Sequence, residues 1–295
     1  MNATSSNPAY SKIQELLEIA RSGKRTLVMG ILNVTPDSFS DGGEFYETDL
    51  AVERALRMAA DGADIIDIGA ESTRPATFRS HEPMDSEAEL RRLLPVVIAL
   101  HSRLPYMPIS VDTYKSHTAE AAIGAGAVMI NDISALRADA GMAAAAAVLG
   151  VPVCLMHMPG LPTAIPADPH YLDVVREVCD HLQERVEYAV SEGIRYENIL
   201  IDPGIGFGKA VAENLEILRR LDEFRQIGCP LLIGTSRKST IGTVLGGLPP
   251  QDRLEGTAAT VALSIAYGAA IVRVHDVKEM VRVARMSDAI VRGWG

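Results

Sequence analysis

Residues 51–74, AVERALRMAADGADIIDIGAESTR, contain the pattern that decides the fold of this chain. A helical repeat of apolar residues ends at Gly62, and glycine commonly ends a helix because it adopts a left-handed conformation without strain. An apolar run follows at 64–68, and polar residues follow that run at 71–74. This order predicts a helix, a tight turn and a buried strand whose carboxyl end carries polar side chains.

The same pattern recurs along the chain. Gly126, Gly150 and Gly268 precede further apolar runs, as Gly62 does. Runs that are apolar throughout, instead of alternating, are typical of a parallel sheet that is covered on both faces. The predicted strands are 27–32, 64–68, 107–111, 127–130, 152–156, 199–201, 230–233 and 270–274.

Eight consecutive βα units predict an α/β fold, a single (β/α)8 TIM barrel over residues 25–295. Residues 1–24 form an N-terminal extension and helix, and the amphipathic repeat at 11–21 predicts that this helix plugs or flanks the barrel. The alternative is an open, doubly wound sheet, which favours a GxGxxG turn after its first strand. Residues 33–43 contain no such turn, so the sequence favours one barrel domain spanning 1–295.

Composition excludes several classes of protein. The chain has 295 residues, with 28 Lys and Arg against 38 Asp and Glu, a net charge of −10. An acidic chain without a basic block predicts no nucleic-acid partner and no anionic membrane surface. The apolar uncharged stretches 142–156 and 256–272 are shorter than the ~18 residues of a membrane helix. Three separated cysteines and an N-terminus unlike a secretory signal predict a cytoplasmic protein.

Polar residues follow every predicted strand. In a barrel of this kind, catalytic groups come from the carboxyl ends of the strands and from the loops after them. Eight polar strand ends therefore predict an active site rather than eight independent structural roles. These ends are Asn33, Glu71 to Arg74, Asp112, Asn131 with Asp132, His157, Asp202, Ser236 to Lys238, and Arg273 with His275.

These residues form two groups by chemistry. Asp112, Asn131, Asp202 and Lys238 combine acceptors with one ammonium, which suits a flat heterocycle with an amidine-like edge and a carbonyl. The second group offers donors and positive charge, which suit pyrophosphate with a hard cation. A helix predicted at 240–245 adds free backbone N–H groups that favour an anion. His157 is predicted to have a packing or hydrogen-bonding role instead of a catalytic one. The second group contains Asn33, Thr73, Arg74, Arg273 and His275.

Taken together, several segments resemble the dihydropteroate synthase family of pterin-binding TIM barrels. The matching blocks occur in the family's order and extend over residues 27–276. The first, second and Ser-Arg-Lys blocks are the specific ones in combination. The matching segments are 33–43 (NVTPDSFSDGG), 71–75 (ESTRP), 111–113 (VDT), 130–132 (IND), 202–209 (DPGIGFGK), 236–239 (SRKS) and 273–276 (RVHD).

The resemblance implies a transferase of folate biosynthesis that uses Mg²⁺, forms a homodimer and is a target of sulfonamides. The family joins 6-hydroxymethyl-7,8-dihydropterin pyrophosphate to p-aminobenzoate, giving 7,8-dihydropteroate and pyrophosphate. Pyrophosphate leaves first, and the arylamine nitrogen then captures a pterin cation. Residues 256–265 and 277–291 are the apolar faces expected to form the dimer contact.

The resemblance also implies a role for each residue at a motif position. The residues implied to bind the pterin are Asp112, Asn131, Met156, Asp202, Phe207 and Lys238. Those implied to bind pyrophosphate are Asn33, Thr73, Arg74, Arg273 and His275, with Asn33 as the Mg²⁺ ligand. Those implied to receive p-aminobenzoate are Phe39, Arg74, Pro75 and Ser239. Those implied to act in catalysis are Asn33, Asp37, Lys238, Arg273 and His275.

Two other functions are compatible with such a barrel. A pterin-binding methyltransferase domain would share the pterin edge but would not need the pyrophosphate group of residues. A non-catalytic paralogue would bind pterin without turnover, although every motif position is filled here. The chain departs from the family pattern at Ala70, Ala76 and Thr240, and its loop at 76–87 is longer. These departures concern the p-aminobenzoate side of the site.

Overall fold

The computed structural model describes residues 7–34, 43–71, 84–162, 164 and 169–294, with the side chains of 43–47 left out. The strands are β1 (Leu27–Asn33), β2 (Ile65–Gly69), β3 (Ile109–Asp112), β4 (Met129–Asp132), β5 (Val153–Met156), β6 (Ile199–Asp202), β7 (Leu232–Ile233) and β8 (Ile271–Val274). The helices are α1 (Pro8–Ser22), α2 (Gly43–Ala60), α3 (Ser86–Arg103), α4 (Ser116–Gly124), α5 (Met142–Leu149), α6 (Val174–Ser191), α7 (Val211–Arg219), α8 (Ser239–Val244), α9 (Leu254–Ala266) and α10 (Val277–Arg292).

All eight strands lie in one parallel sheet. Their order is β6-β5-β4-β3-β2-β1-β8-β7, so each strand neighbours the next one in the chain, except that β6 and β7 lie at the two ends of the order. The two ends of this order, β6 and β7, meet at a parallel bridge between Ile201 and Leu231. The sheet is therefore a nearly closed barrel with helices between its strands. The predicted fold class is confirmed, and the open, doubly wound alternative is wrong.

Several strands extend one or two residues beyond their predicted carboxyl ends. Asn33, Asp112 and Asp202 are the last residues of β1, β3 and β6 rather than the first residues of the following loops. The reason is pairing, because Asp112 lies opposite Asn131 and Asp202 lies opposite Met156 in the ladders. Backbone register thus holds these polar side chains at defined positions on the barrel rim.

Helix α1 closes the amino-terminal end of the barrel. It begins after Asn7, whose side chain accepts the Ala9 N–H, and it is longer than the predicted segment 11–21. Its apolar face, which includes Ile13 and Leu16, packs against Leu27 and other residues near the strand starts. This packing confirms that the helix plugs the barrel. Within the described residues, no helix is long and apolar enough to cross a membrane.

Candidate active site

Two layers of inward-facing side chains fill the upper part of the barrel. Residues two positions apart on a strand lie on the same face, so a strand can contribute one residue to each layer. The lower layer is apolar and packs on α1, and the upper layer is mostly polar or charged. The lower layer includes Ile65, Met129, Cys154, Leu200 and Ile271. Two residues further along each strand are Asp67, Asn131, Met156, Asp202 and Arg273.

A buried network connects three of the upper residues with Asp112 at the end of β3. Arg273 donates from Nε to Asp67 Oδ2 at 2.6 Å and from Nη2 to Asp112 Oδ2 at 2.7 Å. Asn131 donates from Nδ2 to the same Asp67 oxygen at 3.1 Å. The structure therefore brings together Asp112, Asn131 and Arg273, as predicted. It adds Asp67, a residue that the sequence analysis missed.

The network leaves Asp112 poised between its two protonation states. Burial raises the pKa of Asp112 to about 7, and the nearby charge of Asp67 adds to that rise, although Arg273 opposes it. Burial works against the charge of Arg273, but the carboxylates of Asp67 and Asp112 outweigh it and raise the Arg273 pKa. Asp112 Oδ1 is buried and has no hydrogen-bond partner within the described residues. A ligand that offers N–H donors would supply that partner.

Lys238 and the segment 202–209 form the second half of the site. The Lys238 ammonium donates to the carbonyl of Ile205 and lies 4.7 Å from the centre of the Phe207 ring. Burial lowers the pKa of Lys238 to about 8, and the charge of Asp202 works in the opposite direction. Burial also raises the pKa of Asp202, whose Oδ1 accepts the Gly204 N–H at 2.7 Å.

Met156 and Phe207 form one wall of this region. Both belong to a small apolar cluster at the carboxyl end of the barrel, separate from the main core, together with Tyr114, Ile133 and Met158. The structure thus brings the two predicted pocket-lining residues together. An apolar wall next to a row of acceptors suits a flat ring with a polar edge.

Lys209 supports the segment 202–209 from the other side, and the sequence analysis missed this role. Its Nζ donates to the carbonyls of Gly204 at 3.0 Å and of Phe207 at 3.3 Å. Burial lowers its pKa to about 7, with the charge of Lys238 contributing. Asn214 accepts the Gly206 N–H at 2.7 Å, so the loop is held at several points. The sequence signal for this role was the position of Lys209 at the end of a glycine-rich segment.

His275 is a neutral hydrogen-bonding residue near pH 7 and is not one of the cations. Burial lowers the pKa of His275 to about 3, and Arg273 and Arg237 add to this effect. Its backbone N–H donates to Ser236 Oγ at 3.1 Å, and its Nδ1 lies 3.0 Å from the same oxygen. The sequence analysis placed His275 in a group that offers donors and positive charge, and burial beside two arginines favours the role of a neutral donor within that group.

The remaining predicted site residues differ in their position and exposure. Asn33 ends β1 and is partly exposed at the rim. Ser239 is exposed and is itself the first residue of α8, so the predicted helix 240–245 begins one residue earlier. His157 is buried with its ring 4.9 Å from that of His181, which agrees with the predicted packing role. Asp37, Phe39, Thr73, Arg74 and Pro75 lie outside the described residues.

Comparisons with known proteins identify the class of this barrel. Residues 29–275 match the family model described as pterin binding enzyme. The dihydropteroate synthase of Bacillus subtilis is 47% identical over 272 residues, covering 92% of this chain and 91% of the relative. The dihydropteroate synthase of Escherichia coli is 46% identical over 262 residues, covering 89% and 90% of the two chains.

Solved structures agree with these relatives. Dihydropteroate synthase from Xanthomonas albilineans in complex with 7,8-dihydropteroate superimposes with a TM-score of 0.81 at 44% identity, covering 90% of this chain and 94% of that one. A dihydropteroate synthase from Clostridium difficile in the presence of pteroic acid gives a TM-score of 0.85 at 49% identity, covering 92% and 98%. The chain belongs to the pterin binding enzymes. Within them it belongs with the dihydropteroate synthases, transferases of folate biosynthesis.

Proposed function

We propose that this chain joins 6-hydroxymethyl-7,8-dihydropterin pyrophosphate to p-aminobenzoate with release of pyrophosphate. The observation that carries the proposal is the polar layer formed by Asp112, Asn131 and Asp202 beside Lys238 at the carboxyl end of the barrel. A pterin presents ring and exocyclic N–H donors beside a carbonyl. Carboxylates accept from paired N–H donors, and an ammonium donates to a carbonyl or ring nitrogen.

The proposed reaction breaks the C–O bond between the pterin methylene and pyrophosphate and forms a C–N bond to the arylamine. The C–O electron pair leaves with pyrophosphate, and the amine nitrogen loses one proton after it attacks. An arylamine is neutral at pH 7, so the protein need not supply a strong base. Its contribution is to orient the two substrates and to stabilise the charge that develops as pyrophosphate leaves.

We propose that the leaving pyrophosphate is bound beside the pterin edge by Asn33, Arg273 and His275. Neutral His275 supports this proposal because Ser236 forms a hydrogen bond with one ring nitrogen, Nδ1. The Ser236 hydroxyl accepts the backbone N–H of residue 275, so its own proton is available to Nδ1. The ring proton then lies on Nε2, which makes His275 a donor to phosphate oxygens. The proposed contributions of Thr73, Arg74, Asp37, Phe39 and Pro75 remain predictions.

The residues present suit a weakly held Mg²⁺ ion. Within the described residues, no group of three or more His, Cys, Asp or Glu side chains is arranged to hold a metal. Asn33 offers one amide oxygen at the rim, and Mg²⁺ commonly keeps several waters and binds through one or two protein oxygens plus substrate phosphates. We propose that Mg²⁺, when bound, neutralises charge on pyrophosphate. Asn33 would then hold the ion next to the leaving group.

The proposal is tested by measuring pyrophosphate release from purified protein with both substrates and Mg²⁺. We expect turnover that needs both substrates, and a loss of at least about 100-fold in Asp112→Ala, since one deleted electrostatic contact commonly costs that much. Ser287→Ala is a suitable control, because Ser287 is buried on α10 away from the strand ends. Wild-type turnover no higher than that of Asp112→Ala would contradict the proposal.

The two alternative functions predict different outcomes in the same assay. A methyltransferase domain would bind a pterin without releasing pyrophosphate. A non-catalytic paralogue would show pterin binding, seen as a raised melting temperature, without any turnover. Arg273 and His275, which we propose to bind pyrophosphate, support the synthase over both alternatives.

We also propose that the chain acts in the cytoplasm as one domain, 1–295, and as a homodimer. Exposed apolar side chains on α9 and α10, among them Leu263, Met286 and Ile290, support the dimer because they fall in the two predicted faces. Light scattering should give twice the monomer mass. Leu263→Glu together with Ile290→Glu should give the monomer mass. The exposed Ile98→Glu on α3 is the matched control.

A further inference from the structure

Asp67 differs from the other carboxylates of the site in its position. It lies within β2 rather than at a strand end, and its side chain has no exposed surface. Gly69 occupies the next inward position on this strand, and a Cβ there would lie 3.3 Å from the Asp112 Cβ. The Asp112 side chain therefore lies over the end of β2, between Asp67 and the barrel mouth. A substrate at the mouth meets Asp112 before it meets Asp67.

The Oδ2 oxygen of Asp67 accepts two hydrogen bonds from the substrate-facing layer. One comes from Arg273 Nε at 2.6 Å and the other from Asn131 Nδ2 at 3.1 Å. Burying an isolated carboxylate is costly, so its retention at this depth needs these partners. Each partner is in turn restrained, because a charge-assisted hydrogen bond fixes the orientation of the group that donates it.

The bond to Asn131 has a consequence for specificity. Since the amide nitrogen of Asn131 donates to Asp67, the network assigns its carbonyl oxygen to the open side of the layer. Asn131 then presents an acceptor, and a ligand must bring an N–H donor to it. The bond to Arg273 acts similarly, because it turns the second arm of the guanidinium toward Asp112. The Asp67 carboxylate thus sets the orientation of Asn131 and Arg273. Through Arg273 it also restrains Asp112.

We propose that Asp67 is a positioning residue that selects the pterin by orienting Asn131 and Arg273 through its Oδ2 oxygen. This inference rests on the proposed function, since it concerns how the same site recognises its pterin substrate. It goes further because it makes Asp67, which lies behind the side chains that face the pterin, responsible for which of them present donors and which present acceptors. It also predicts that p-aminobenzoate binding does not depend on Asp67.

The test compares Asp67→Asn and Asp67→Ala with Asp64→Asn. Asp64 is the matched control, because it pairs with Arg25 at 2.6 Å and lies immediately before the first residue of β2, at the end away from the site. Calorimetry measures the Kd of pterin-6-carboxylate, which has no leaving group, and steady-state assays measure kcat and both KM values. Asparagine at position 67 can still accept one hydrogen bond, so it provides a graded conservative variant.

We expect pterin Kd and pterin KM to rise about ten-fold or more in Asp67→Asn, and further in Asp67→Ala. The KM for p-aminobenzoate should stay within about two-fold of wild type, and Asp64→Asn should bind pterin normally. In a double-mutant cycle, Asp67→Asn should cost less once Asn131→Ala is present, and the remaining loss should reflect its bond to Arg273. A merely structural role would give additive losses and would raise both KM values alike.

Two outcomes would overturn the inference. Unchanged pterin affinity in folded Asp67→Asn is the first, and equal losses in Asp67→Asn and Asp64→Asn are the second. Thermal unfolding of each variant establishes that it is folded. If wild type binds the pterin but does not turn over, the proposed function fails, while the Kd comparison still decides the role of Asp67. If wild type does not bind the pterin, both proposals fail.

Discussion

At the scale of single residues, the site works by placing opposite charges where water cannot screen them. Lys238 shows the principle, because its ammonium is held between the Ile205 carbonyl and the Phe207 ring, beside Asp202. An ammonium in such a place is desolvated before the substrate arrives. Its attraction for a pterin carbonyl or ring nitrogen is then stronger than it would be in water.

We expect Lys238→Met to lower kcat/KM at least about 100-fold, because it keeps the stem and removes the charge. Its effect on stability should depend on pH. The folded pKa of Lys238 is about 8, below its ordinary 10.5, so between these values the unfolded chain holds more protons and stability rises with pH. Urea unfolding at pH 7.5 and 9.5 should show a smaller rise in Lys238→Met than in wild type. An equal or larger rise would contradict the pKa assignment.

Asp112 gives a pH dependence of the opposite sign. Its folded pKa of about 7 lies above the ordinary 3.8, so native stability should decrease as pH rises from about 4 to 7. The charged groups that act on it are Arg273, Asp67, Glu89 and Asp132. A pterin that donates N–H groups requires the ionised form. Its affinity should therefore fall by up to about ten-fold for each pH unit below 7.

Calorimetry in buffers of different ionisation enthalpy checks this prediction. Pterin binding at pH 6 should release a proton, and the release should vanish near pH 8.5. Asp112→Asn, which does not titrate, should bind weakly with no proton release. Affinity that is independent of pH between 5.5 and 8 would show that Asp112 is ionised throughout that range.

At the scale of elements, the loop 202–209 depends on Gly204, where a Cβ would overlap neighbouring backbone. Gly204 has a φ of +68°, and a Cβ there would overlap the carbonyl oxygen of His157. The backbone of Gly204 thus approaches His157, which follows β5, closely. The His157 N–H also donates to the Asp202 carbonyl at 2.8 Å, so the loop after β6 is held against the end of β5. Close backbone approach therefore fixes where the loop places Phe207 and Asp202.

We expect Gly204→Ala to lower the free energy of unfolding by about 2–4 kcal/mol and to weaken pterin binding, because the loop must move. Gly150→Ala is the matched control. Gly150 has a φ of +67°, but a Cβ there would meet nothing within 4 Å. It should cost only about 1 kcal/mol and leave binding unchanged. Equal losses in the two variants would show that backbone conformation, and not the contact with His157, decides the cost.

The sequence predicts elements better than it predicts their contacts. The glycine joints and apolar runs were enough for the barrel, because helix ends and buried strands depend on local chemistry. The inward position of Asp67 could also have been predicted from the sequence, since Asp67 lies two residues after Ile65 and therefore on the same inward face. Neutral His275 and the support given by Lys209 were not, because both depend on burial and on charges from other elements.

At the scale of the whole molecule, the chemistry is separated from the elements that stabilise the barrel. The strands carry apolar side chains at their amino ends, where α1 packs, and polar ones at their carboxyl ends. The chain has an excess of ten negative charges, yet Lys209, Lys238 and Arg273 gather at the polar end. The carboxylates of Asp67, Asp112 and Asp202 lie beside these cations, so an anionic group at this end meets individual cations within a balanced cluster of charges.

This separation predicts that the α1 plug can be weakened without damage to the site. Ile13 is completely buried in the cluster that α1 forms with the strand starts, so Ile13→Ala should lower the free energy of unfolding by about 2–5 kcal/mol. Below the unfolding transition, its pterin Kd should stay within about two-fold of wild type, because an apolar layer containing Ile65 and Met129 lies between. Urea unfolding and calorimetry on one preparation measure both quantities. Ile98→Ala, at a position 55% exposed, should change neither of them, whereas a weakened Kd in Ile13→Ala would show that the two ends are coupled.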